Sequence, residues 1–247
     1  MSYNPYGSND AAPRRRRRGG CLRTVIIGVV VLVILLVAAD FIAKAVAQNV
    51  AASQIQKNGF PKKPSVTFEG FPFLTQVAAH DFHQVRFSSA DVPAGPVKIS
   101  KVSAVANGVH LKGNFQSGTI DQVAGTVLIS FGSLDSALTN ALGPDAGSVV
   151  GAIGLKLSAA GPDEVKASLD LVVTSGSATW RVTRPTPQKL SVTLVGSSGV
   201  PSGLLQPISN FSFTIPKLPF GLTIQKVLVT PSGLVGQISA TDVSFSQ

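Results

Sequence analysis

Val165-Lys166-Ala167-Ser168-Leu169-Asp170-Leu171-Val172-Val173 alternates dry and wet side chains for most of its length. Val165, Ala167, Leu169, Leu171 and Val173 project to one side of an extended chain, and Lys166, Ser168 and Asp170 to the other. The same period of two recurs on both sides. Upstream it runs through Val66 and Phe68, then Val123, Val127, Ile129 and Phe131. Downstream it runs through Trp180 and Val182, then Leu190, Val192 and Leu194, then Phe211, Phe213 and Ile215, then Leu222 and Ile224. Strands with one apolar and one wet side belong to an antiparallel sheet, because a parallel sheet buries both faces.

Two helical segments interrupt this pattern. Asp40 to Lys57 carries Phe41, Ile42, Ala45, Val46, Asn49, Val50 and Ser53 at helical spacing, and Asn58-Gly59 stops it. Ser133 is placed to cap a shorter helix bearing Leu134, Leu138 and Leu142, which Gly143-Pro144 ends. A further helical turn is read around Leu204 and Leu205. Asn107 to Gly113 weakly echo Ser232 to Gly236, and the two stretches are read as two similar hairpins. The expected fold class is α+β, mostly antiparallel β, with a long N-terminal helix against a strongly curved, tube-like sheet. Little helix is available to cover so many apolar strand faces. The sheet must therefore close on itself or hold a ligand.

The N-terminal fifty residues differ in kind. Thr24 to Ala39 is apolar without a charge, and Phe41 to Ala43 extend it past Asp40. Arg14 to Arg18 precede it, which by the positive-inside rule puts the N-terminus in the cytoplasm and the rest of the chain outside. The expected organisation is a disordered basic tail over 1–21, a transmembrane anchor over 22–43 and an extracytoplasmic domain over 44–247. The competing reading is a signal peptide cleaved after Ala45-Val46-Ala47. The net charge of +9 sits largely in the tail. From Gln48 onward, 14 Lys and Arg against 10 Asp and Glu leave +4, with no basic stripe interleaved with aromatics, so nucleic acid is not an expected partner. Cys21 is the only cysteine, so the outer region has neither disulfide nor thiol nucleophile.

Catalytic chemistry is poorly represented. The chain holds two glutamates, Glu69 and Glu164, and three histidines. Gly196-Ser197-Ser198-Gly199 lacks the nucleophile-elbow spacing, and no phosphate-binding glycine loop occurs. His80 and His83 lack an evident third ligand, so neither a metal nor a cofactor is expected. Asp163-Glu164 reads as a solvated turn after Gly161-Pro162. Asn210-Phe211-Ser212 matches a glycosylation sequon, a pattern common by chance.

Apolar residues at turns are the distinguishing feature. Gly70-Phe71-Pro72-Phe73-Leu74 and Leu218-Pro219-Phe220-Gly221-Leu222 place aromatics beside proline and glycine. Such rings either fold back to cap the core or meet lipid at a groove mouth or bilayer. Gly70 to Val77, preceded by an Ala-rich helix and Pro64-Ser65-Val66, together with Leu218 to Leu222, resemble the LmeA-like family of actinobacterial envelope proteins. The resemblance covers roughly Phe41 to Phe245. It implies an N-terminal hydrophobic segment, phospholipid binding and a tubular lipid-binding fold, in which a curved antiparallel sheet wraps a long helix. One member is implicated in elongating the mannan chains of lipoglycans. The family supplies no catalytic residues to carry over.

The resulting expectation is a non-enzymatic, membrane-anchored phospholipid-binding protein in the periplasm-like space outside the inner membrane, supporting envelope lipid or lipoglycan assembly. The alternatives are a ligand-free envelope scaffold and an envelope hydrolase or transferase. Acyl chains are expected against Val66, Phe68, Phe71, Phe73, Leu74, Val127, Ile129, Leu169, Leu171 and Phe220, at about 0.8 kcal/mol per buried CH₂. Lys62 and Lys63 are candidates for an anionic headgroup.

Overall fold

The computed structural model describes residues 20–57, 60–94, 97–113, 115–141, 156–170, 175–187, 189–200, 205, 209–214 and 221–246. The apolar run and the helix read after it are one element, α1, Gly20–Lys57. No proline falls between Arg23 and Lys57, so nothing forces a break where the anchor was expected to give way to the domain. Strand β1 (Ser65–Glu69) and a two-turn helix α2 (Phe73–Ala79) follow. Three long strands come next: β2 (Asp81–Ala94), β3 (Val97–Leu111) and β4 (Ser117–Ser130). Helix α3 (Phe131–Ala141) then leads to β5 (Lys156–Ala159), β6 (Glu164–Asp170), β7 (Ser175–Thr186), β8 (Lys189–Ser198) and β9 (Asn210–Thr214). Strands β10 (Thr223–Thr230) and β11 (Gly233–Ser246) complete the described fold.

The α+β class, the antiparallel pairing and the long N-terminal helix are as expected. The tube is not. The strands form two sheets, one of six in the order β1-β2-β3-β4-β11-β10 and one of five in the order β5 to β9. In the first, β1 and β10 are edges that do not pair with each other, so the sheet is open and not strongly curled. Alternation tells a strand which side is dry; it carries no information on closure, which depends on stagger between strands far apart in sequence.

Three smaller expectations also change. Phe131 is not on the strand with Val123 and Val127 but is the first residue of α3, buried against Val165 and Val229. The stretch from Asn107 does run into a hairpin, but the turn falls later, where Leu111 pairs with Gly118 and the Lys112 amide donates to the Ser117 carbonyl, while Asn107-Gly108 lies inside β3; Gly233 opens β11 just after its tight turn. Gly108 adopts φ +61°, a left-handed backbone that favours glycine. The turns around Gly70 also proved partly helical, since Phe73 to Ala79 form α2. Of the turn read at Leu204-Leu205, Leu205 is helical and buried, and Leu204 lies outside the described residues.

The core sits at two places. At one end Phe73, Phe82 and Val109 are buried beneath α1 and α2, with Phe68, Val85, Ala43 and Ala47 packed around them. Rings of Phe68, Phe73 and Phe82 lie 5.2 to 6.0 Å apart, within the range of favourable aromatic pairs. At the other end Phe131, Val165 and Val229 join the two sheets, helped by Leu134, Leu157, Val182 and Leu234. The Val229 amide donates to the Pro162 carbonyl (2.8 Å) across that junction.

Candidate functional site

Cross-strand register sorts the six-stranded sheet into faces, because directly paired residues project to the same side. One row runs Val66, Phe87, Ala104, Gly125 and Ile238; the next runs Phe68, Val85, Ala106, Val123 and Ala240. Ser89, Val102, Val127 and Gly236 form a third, and Ile129 pairs with Leu234 beyond it. This face is apolar from edge to edge. On the opposite face the row Ser65, Ser88, Ser103, Thr126 and Gln237 is polar, and the rows beside it mix polar residues with Val105, Ala124, Leu128 and Val235.

Cover on the dry face is uneven. Helix α1 reaches it with small residues: Ala43 and Ala47 touch the aromatic cluster and Ala52 is buried. Phe60, just past α1, meets Phe87 edge-on at 5.6 Å. The bulky members of the stripe, Phe41, Ile42, Val46 and Val50, turn outward instead. Beyond the aromatic cluster Val102, Val123 and Val127 are only half-buried. Among the described residues no large side chain is fully buried.

The expected lipid contacts divide accordingly. Val66, Val127 and Ile129 lie on the dry face, with Val66 buried and the other two half-buried. Phe68 and Phe73 belong to the aromatic cluster, Phe73 being only 3% exposed. Phe71 and Leu74 are on the surface. Leu169 is on β6, but its side chain is outside the described set, as are Leu171 and Phe220 altogether. Lys62 pairs with Asp91 and Lys63 bonds Asn49, so both candidate headgroup lysines already have partners within the protein. Lys62 and Lys98 together hold the Asp91 carboxyl below the usual aspartate range, chiefly through the Lys62 hydrogen bond.

Two clefts were not foreseen. One, of about 730 Å³, opens on the wet face, where Ser65, Thr67, Arg86, Ser103 and Thr126 line it together with Val105 and Ala124, so that its wall is more apolar than polar. The other, of about 380 Å³, is lined by Asp91, Lys98, Ser100, Ser130, Ser133 and Ser136. Its hydroxyls are tied to one another and to the backbone: Ser100 to Ser130 (2.8 Å), Ser133 to the Lys98 carbonyl and Ser136 to the Gly132 carbonyl (2.8 Å). A nucleophile needs a base at hydrogen-bond range, and these bonds provide none. His80 packs on Phe115 (centroids 4.5 Å), away from a metal-binding role with the exposed His83. His110 lies between Asp81 (3.4 Å) and Asp121 (3.3 Å) on the surface, and Asp163 and Glu164 pair with Arg181. The partners of His110 come from β2 and β4, a juxtaposition that spacing alone does not reveal.

The open antiparallel sheet carries apolar surface that a helix covers only in part, surface on which an apolar ligand can lie. The chain belongs to the LmeA-like phospholipid-binding family, whose model matches residues 38–239. No curated protein and no solved structure matches it. Membership supports lipid as the ligand class and leaves the choice of lipid to the site.

Proposed function

We propose that the protein is a membrane-anchored phospholipid-binding protein whose domain stands outside the cytoplasm and serves envelope lipid or lipoglycan assembly, mannan-bearing lipoglycans included, by binding rather than catalysis. The observation that carries lipid binding is the half-covered apolar strip through Val102, Val123 and Val127. Acyl chains laid on it remove their own surface and that of the valines from water, at about 25 cal/mol per Å². Anchoring is supported by α1, which is long and apolar enough to cross a membrane and has exposed residues from Arg23 to Ala39. A cleaved signal sequence has the same composition, so the retained N-terminus is part of the test.

Native mass spectrometry of gently purified full-length protein should show phospholipid at near-unit stoichiometry and a mass that includes Cys21. Protein free of lipid would favour the scaffold reading. A mature chain beginning at Gln48 would replace the anchor with a signal peptide. A reporter fused after Gln247 should be active only outside the cytoplasm.

A further inference from the structure

Where the membrane surface cuts α1 follows from its charges. Arg23 and Lys44 bracket the 20 residues Thr24 to Ala43, a length of about 30 Å and thus one hydrocarbon core. Asp40 is the single ionisable residue inside that stretch. It is 4% exposed, and its carboxylate accepts hydrogen bonds from the Phe73 amide (2.9 Å) and the Leu74 amide (2.7 Å). Those amides open α2, where Pro72 offers no side-chain cap. A carboxylate at membrane depth needs donors, and unpaired amides there need acceptors. Each group answers the other.

The outside of this elbow is apolar. Phe41 and Phe71 are each 60% exposed with rings 6.1 Å apart, and Ile42 and Leu74 are 66% and 42% exposed. We propose that the α1–α2 elbow is sunk in the outer leaflet, with Phe71 and Leu74 among the acyl chains beside Phe41, so that part of the folded domain lies below the membrane surface. This rests on the anchoring proposed above. The occupant is the bilayer itself, because the exposed rings continue the lipid-facing surface of the span without a polar gap: bonds to Asp40 hold the start of α2 about 6 Å inside the level of Lys44.

The test uses full-length protein in nanodiscs of phosphatidylcholine and phosphatidylglycerol. In a Cys21→Ser background, single cysteines replacing Val30, Phe71, Leu74 or Ser232 carry an environment-sensitive fluorophore. Spin-labelled lipids quench either near the headgroups or near the bilayer centre. Dye at Phe71 and Leu74 should show blue-shifted emission quenched more by the shallow label than by the deep one. Dye at Val30 should be quenched by the deep label, and dye at Ser232, in the β10–β11 turn, by neither. Quenching at Val30 with water-like emission at Phe71 and Leu74 overturns the immersed elbow while the anchor stands. Blue-shifted emission at Leu74 that no lipid label quenches also overturns it, placing a protein, such as a second copy, on this surface. Absence of quenching at Val30 defeats the anchor and the elbow together.

Discussion

The two ends of the dry face are built differently from its middle. At the α1–α2 end three phenylalanine rings and Val109 are packed under two helices, and at the far end Phe131, Val165 and Val229 lock one sheet to the other. The middle has valines and alanines in register, with Val102, Val123 and Val127 half-buried, and the α1 alanines Ala43 and Ala47 sit at the aromatic end. Burial at the ends is enough to fix the register of every strand between, since a one-residue slip would reverse all faces. In the proposed reading stability lies at the ends and lipid in the middle of the same face, and substitutions separate the two.

The largest effect is expected at the aromatic end. Phe82→Ala should cost about 3–5 kcal/mol through the cavity it opens, read as an early melt, with lipid per folded molecule unchanged. Equal stability would mean that this cluster does not hold the fold. In the middle the pattern should invert. Val127→Phe should displace co-purifying lipid while melting stays close to wild type. If instead lipid is retained and stability falls by about 1–3 kcal/mol, the middle is ordinary packed core.

A smaller effect is expected at Asp91. Its folded carboxyl is depressed below the 3.8 of a free aspartate by Lys62 and Lys98. Its contribution is thus fully present above that value and is lost as pH falls through the lowered folded one. Acid titration should cost wild type more than Asp91→Asn; parallel acid unfolding curves would show that the ties are too solvated to matter. The smallest effect is expected at Lys166, exposed beside buried Val165 and Ala167. Lys166→Ala should move stability by no more than about 0.5 kcal/mol and leave lipid content alone.

Sequence alternation was a reliable guide to which strands exist and which side of each is dry, because that period is a local property of the chain. Val165 and Ala167 buried on either side of exposed Lys166 are the plainest case. It was a poor guide to α2. Phe73 to Ala79 make only two turns, and the cap that starts them comes from Asp40, more than thirty residues upstream. The split into two sheets was likewise invisible, since it depends on Phe131 leaving the strand and on pairing between β4 and β11 across half the chain. Of the site, Val66 and Val127 were legible by parity. Nothing local distinguishes Phe73, which is core, from Phe71, two residues earlier and exposed.

Helix α1 has no proline after Arg23 and no glycine after Gly28, and it runs about 57 Å as one rod. Set in a bilayer, such a rod transmits lean. A thinner membrane tilts a span to keep its apolar length covered, and here the sheet must tilt by the same angle because no hinge absorbs the motion. The domain then behaves as the pointer of a gauge whose stem is the anchor. Local bilayer thickness is written into its attitude, and the reach open to the dry face is a fixed arc about the point where the stem enters.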